Sequence, residues 1–490
     1  METIISISDV DSKFFDGDFA ELFSSENLTE IAKAAKQFKR ERKFRIDIFV
    51  YSTLKLFNES PKEQNVTLAN LKRSYDSLVG KEEQLAQKPF YLQLAKEETF
   101  KTAYNLLLAV LSFTLNKSSK KVMKHMKPIK RLCEKAMVSD IIMVDGCEIV
   151  IDDDAQNEFM ALGCDVRGSG RKHKDGSNPS PALKLHVAFS LTRQTFVHID
   201  ITGVCDSERK HIPFEKFHNV LFIMDRGYPS VDIEQAINDS GNFFLIRDKK
   251  NRAGRISMLF KATSSCSCKQ RVFKYDGKAV SKVKYDEFDA DAEFNNSEGE
   301  SVTVRICKCK IRDPKTNRDV FSYFRTNLKR HIFSLQQIGM LYRTRWLIEI
   351  LNKLHKSFNG LSTVNSSKPY IILTFILFSL IAALVKTIMA HFAQGKAKLE
   401  YISMMKCHMM IDKFSDLYVA LAKGSKRAIQ RIINEIIEYM MTFCRRTVPS
   451  KRNKELEKDL PTLIENILAR KNQKRYGKFE SWQMVHVHSD

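Results

Sequence analysis

Two short, uninterrupted apolar runs constrain this chain most, Ile141-Ile142-Met143-Val144 and Val220-Leu221-Phe222-Ile223-Met224. Runs of that length are what strands buried on both faces look like, and such strands occur in sheets covered by helices. Further strand-like segments follow at Glu148–Asp152, Leu183–Ser190, Phe196–Thr202 and Phe243–Ile246, with a helical stretch from Val231 to Asn238. The pattern predicts an α/β core. Each apolar run leads into a carboxylate closely followed by glycine, in Asp145-Gly146 and in Asp225-Arg226-Gly227-Tyr228. One Asp-Gly after a strand is ordinary turn chemistry. Two aspartates at the carboxyl ends of adjacent strands lie in the crevice where α/β folds place ligands. Such a pair repels itself unless a cation intervenes, and Mg²⁺ is the usual partner of hard oxygen donors.

The flanks have a different texture. Apolar positions recur at three- and four-residue spacing in Phe19–Phe38, Phe44–Phe57, Val66–Leu78 and Phe90–Leu115, which predicts a helical N-terminal region. Strand-like segments at Gln270–Tyr275, Val302–Ile311 and Val320–Phe324 predict a mostly β insertion, and helical character returns from Ser334. The expected division is a helical, DNA-binding region over 1–135, core over 136–250, insertion over 251–330, core again over 331–400 and a basic helical region over 401–490.

Charge then narrows the partner. Lys and Arg number 80 against 58 Asp and Glu, a formal net charge of +22. A basic chain that is 43% hydrophobic is folded rather than disordered, and it suits a polyanion, nucleic acid first and an anionic membrane surface second. A Gly/Ser-rich loop carries Arg171 and Lys172, and the tail carries Arg445, Arg446, Lys451, Arg452, Arg470 and Lys471. The uncharged stretch from Pro369 to Val385 is short for a hydrocarbon layer and reads as a buried helix rather than a membrane span. The N-terminus lacks a basic leader, and scattered cysteines imply reduced intracellular thiols. Cys266/Cys268 and Cys307/Cys309 fit either a four-thiolate zinc site or the alternation of half-buried strands.

The segment from Leu341 to Lys356 carries the most specific signal. Plotted on a helix, Tyr342, Arg345, Glu349 and Lys356 share a stripe about 60° wide and about 21 Å long. Ile350, Leu354, Leu347, Leu351 and Ile348 occupy the opposite face. A carboxylate flanked by cationic and aromatic groups suits a metal held beside a phosphate backbone.

These residues resemble a known family. Tyr342-x2-Arg345-x3-Glu349-x6-Lys356 is similar to the Tyr-Arg-Glu-Lys signature of bacterial insertion-sequence transposases with a DDE active site. Val144-Asp145-Gly146 and Asp225-Arg226-Gly227-Tyr228 resemble their first and second Asp blocks, and Thr326-Asn327-Leu328 precedes the signature as in that group. The resemblance covers about 140–360. It implies an RNase H-like core interrupted by a β subdomain, with Asp145, Asp225 and Glu349 binding two Mg²⁺ ions (Mn²⁺ as substitute). It further implies DNA contacts by Tyr342, Arg345 and Lys356, with Arg226, Arg171 and Lys172 as added cations. Implied partners are duplex DNA with terminal inverted repeats, target DNA and a second copy of the chain, with no membrane, in the bacterial cytoplasm at the nucleoid. A silent DNA-binding derivative and a nuclease without strand transfer are the alternatives. The chain departs from the pattern at Cys147, and in having only Trp346 and Trp482 as tryptophans. Phe273, Tyr275, Tyr285 or Phe288 would therefore replace the insertion's base-stacking tryptophan.

Overall fold

The computed structural model describes residues 5–7, 15–36, 44–58, 67–121, 133–134, 137–168, 178–193, 195–249, 254–263, 266–312, 319–343, 345, 363–364, 366–397, 402, 406–407, 410 and 412–445. Arg171, Lys172, Glu349 and Lys356 lie outside them, as does the tail beyond 445.

One sheet organises the molecule. Its strands are β1 (Ile5–Ile7), β2 (Asp140–Ile151), β3 (Ala182–Ser190), β4 (Thr195–Gly203), β5 (Val220–Met224), β6 (Phe243–Asp248), β7 (Arg255–Thr263), β8 (Cys266–Arg271), β9 (Phe288–Asn295), β10 (Ser301–Arg312), β11 (Asp319–Thr326) and β12 (Thr363–Val364). They run in the order β1-β4-β3-β2-β5-β6-β11-β10-β9-β7-β8, and β12 pairs with the far end of β2. β2, β5 and β6 are parallel, whereas β3 and β4 return antiparallel. This is a mixed RNase H-like sheet. The insertion does not form a separate layer, because β11 pairs with β6 and carries β10, β9, β7 and β8 onward in the same sheet.

Alternation divides the core. Ile141, Met143, Leu221, Ile223 and Leu245 face one hydrophobic cluster, and Ile142, Val144, Phe222, Met224, Phe244 and Ile246 face the other. The first cluster is covered by helices from both ends of the sequence. They are α1 (Phe19–Leu22), α2 (Ser25–Ala34), α3 (Ile46–Leu56), α4 (Leu68–Leu78), α5 (Gln87–Leu94), α6 (Glu97–Lys121), α7 (Ala155–Ala161), α8 (Val231–Asp239), α9 (Leu335–Arg343), α10 (Pro369–Lys396), α11 (Asp412–Ala422) and α12 (Lys426–Phe443), of which α8 belongs to the second face. α10 opens on proline, whose missing N–H costs a helix nothing in its first turn. It is the one helix among the described residues long and apolar enough to cross a membrane, and its apolar window is wholly buried in this fold. Phe378 meets Phe49 of α3 edge-on at 5.5 Å, and Phe375 meets Phe57 at 6.1 Å. Asn58 and Tyr418 of α11 join the two ends of the chain through a buried 3.2 Å hydrogen bond.

One expectation changes here. Asp145 was expected to end its strand, but β2 runs on through Gly146 to Ile151, held by β3 along that length and by β12 at its end. The helical character expected from Ser334 begins at Leu335, and the described part of that helix ends at Arg343. The strand order also sets the two cysteine pairs apart in the sheet. Strands β8 and β10 are separated by β7 and β9, about 14 Å at ~4.8 Å per strand, whereas thiolates on one ion sit within about 4 Å. Cys307 and Cys309 are buried in the first core cluster.

Candidate active site

The two aspartates are brought together by register. β2 and β5 pair in parallel from Asp140–Val220 to Met143–Ile223. Asp145 and Asp225 each lie two residues beyond the last of these pairs, side by side and about one strand spacing (~4.8 Å) apart. Asp145 stays in the strand, opposite Val187 of β3. Asp225 begins the turn that leaves β5, which the Tyr228 amide closes by donating to the Asp225 carbonyl at 3.2 Å. Both aspartates are half-buried, and Arg226 beside them is exposed.

The end of α9 reaches this edge. The Tyr342 hydroxyl donates to Asp225 Oδ1 at 3.0 Å. Its ring packs 4.8 Å from Phe324 of β11, and the Arg345 guanidinium lies 5.6 Å from its ring centre. Tyr342 is 5% exposed and Arg345 8%. Both were expected on a face turned to metal and DNA; in the structure they are buried against Asp225. Burial works against charge on the Asp225 carboxyl. Arg345 foremost, then the Arg226 amide, the Tyr342 hydroxyl and Arg247, outweigh it and hold the carboxyl below its ordinary value. Asp225 is thus anionic and supported on its inner side.

Sequence reasoning missed the residues on the opposite side. Glu208 lies against Gly146 and Gly227, the glycines of the two Asp blocks. Tyr228 is buried and sees Glu208, Asp145 and Asp225. No periodicity marks Glu208, which sits in the polar run Asp206-Ser207-Glu208-Arg209-Lys210-His211. Of the four aromatics named in the insertion, Phe288 and Tyr275 are buried and Tyr285 is half-buried. Phe273 is 66% exposed, with the Arg271 guanidinium 4.5 Å from its ring centre.

By donor chemistry the edge suits a hard divalent cation, since it offers an ionised carboxylate with a second one strand away. Among the described residues no three His, Cys, Asp or Glu side chains are gathered tightly enough to hold an ion. The third expected ligand, Glu349, is outside them.

The class is an RNase H-like mixed α/β fold that sets Asp145 and Asp225 on adjacent parallel strands, an arrangement suited to phosphodiester chemistry. The transposase DDE domain family matches residues 138–385, half of the chain, and the chain belongs to that family. It is a transposase by that membership, and such proteins act on DNA with divalent metal ions. No curated protein matches the chain.

Proposed function

We propose that this chain is a cut-and-paste transposase of the Tyr-Arg-Glu-Lys group, with Asp145, Asp225 and Glu349 as the carboxylates that hold two Mg²⁺ ions. The observation that carries the reading is the bond from Tyr342, the first residue of the signature, to Asp225, the second carboxylate. It brings two separated motifs to one edge of the sheet.

When bound, the ions supply activation of a water or a 3′-hydroxyl and stabilise the leaving oxygen. The chain's own residues do the rest. Arg345 and Tyr342 keep Asp225 ionised and fix its orientation. Arg226, exposed beside Asp225, meets the phosphate backbone, and Lys356, Arg171 and Lys172 add contacts that give register without reading sequence. Terminal inverted repeats fall to the N-terminal helices and the basic tail, and target DNA to the same metal-bearing edge. Helices α11 and α12 are the homodimer contact, and Tyr439 and Phe443 stay exposed on α12. The protein works at the nucleoid in the cytoplasm.

Cleavage of a duplex containing the element's end, with Mg²⁺, tests the reading. Asp145→Asn, Asp225→Asn and Glu349→Gln should each lose about a hundredfold or more in rate while DNA binding and melting temperature hold. Cleavage surviving in folded, DNA-binding Glu349→Gln would remove it from the triad. A strand-transfer assay on wild type separates a transposase from a nuclease that cuts without joining.

A further inference from the structure

Glu208 opens a 3₁₀ turn, Glu208–His211, after β4, and its carboxylate lies on the backbone behind both aspartates. A Cβ on Gly146 would stand 2.8 Å from Glu208 Cδ and Oε1, and one on Gly227 would stand 3.6 Å from Oε2. The first distance is an overlap, so a side chain at 146 would push the end of Glu208 aside. The turn is pinned. His211 bridges Asp200 at 2.7 Å and Asp206 at 3.1 Å, and Arg209 donates to the Gly227 carbonyl at 3.2 Å. The cation facing Glu208 is Lys184, 3.6 Å away.

A second observation points to the same place. Tyr228 is 1% exposed; its hydroxyl leans on the Glu208 carboxylate in a contact outside ordinary hydrogen-bond geometry and lies in the electrostatic field of Asp145 and Asp225. A buried hydroxyl without a completed bond beside three carboxylates calls for an intervening polar group.

We propose that Glu208 is a further carboxylate of the divalent-metal site at Asp145 and Asp225, a positioning residue acting through its charge and through a water shared with Tyr228. This rests on the metal-site reading above. A direct ligand role is not required, since the described carboxylates do not converge on one point. Outer-shell groups of this kind set metal affinity by about 10–100-fold.

Mn²⁺ binding to the full-length protein, read from the loss of the free-ion paramagnetic resonance signal, tests the idea without any turnover. Glu208→Gln should weaken binding about 10–100-fold with the metal-free melting temperature unchanged. Glu208→Asp should recover part of the loss. Gly146→Ala, which leaves Glu208 in the chain but displaces it, should weaken binding as Glu208→Gln does. Wild-type affinity in Glu208→Gln or in Gly146→Ala, while Asp225→Asn loses the ion, overturns the Glu208 role alone. Wild-type affinity in Asp225→Asn as well overturns the underlying metal-site reading.

Discussion

The hydroxyl of Tyr342 and the charge of Arg345 converge on one carboxylate, so small changes there should be visible in titration. Tyr342→Phe removes a donor to the ionised form of Asp225, and its carboxyl should move upward toward the ordinary range. The acidic limb of the cleavage pH–rate profile should shift to higher pH, with a rate loss of about tenfold below the old plateau. A limb that stays in place would mean the bond does not tune Asp225. Phe273 makes a different residue-scale prediction. Exposed and flanked by Arg271, it offers a stacking surface, and base–aromatic stacking contributes about 1–3 kcal/mol. Phe273→Ala should therefore weaken binding of single-stranded DNA about fivefold or more, measured by fluorescence anisotropy, without lowering the melting temperature. At this scale Asp145, Asp225, Tyr342 and Arg345 could be singled out from the sequence, because apolar runs and helical angles are local properties. Burial of Tyr342 was not legible, since angles say which residues share a face and not what lies opposite. Glu208 was invisible for a related reason: its partners are two glycines distant in sequence, whose only mark is the side chain they lack.

Among the elements, strands were readable where apolar runs were continuous, as in β5, and less so where local chemistry conflicted with pairing. Asp145-Gly146 is turn-like by itself, yet β3 and β12 hold β2 extended through it. Tertiary pairing overrides such a preference. The attachment of the insertion was also hidden, because it is made by long-range pairing of β11 with β6, beside which Arg325 of β11 pairs with Glu234 of α8 at 2.6 Å, both side chains 1% exposed. The same guanidinium lies 4.1 Å from the ring centre of Phe294 in β9. Arg325→Ala leaves Glu234 buried without that charge and should cost about 3–5 kcal/mol in denaturant unfolding. The turn Glu208–His211 carries its own pH signature. His211 is opposed by burial, but Asp200 and Asp206 outweigh this and raise its pKa. Its contribution is complete below the unfolded value of about 6.5 and fades as pH rises through the folded value. The pKa values of Asp200 and Asp206 are lowered, so theirs is present above about 3.9 and fades as pH falls through the folded values. Melting temperature should decline on both sides of that window, and His211→Asn should flatten the alkaline decline.

Across the whole molecule, the helices expected as separate N- and C-terminal regions share one hydrophobic core with the sheet. Phe49 and Phe57 meet α10, and Asn58 meets α11. Truncation after Ala397 should therefore expose buried faces of α3 and α10 and give insoluble or early-melting protein, which expression and thermal melts would check. Retention of full stability would show the C-terminal helices to be dispensable. The same interlock has a consequence for synthesis. α3 ends at Leu56 and α11 begins at Asp412, so at ~5–20 residues per second the ribosome needs about 20–70 s between them. Through that interval the amino-terminal helices lack the neighbours that complete their core. The nascent chain gains its finished core only once α11 and α12 have left the ribosome.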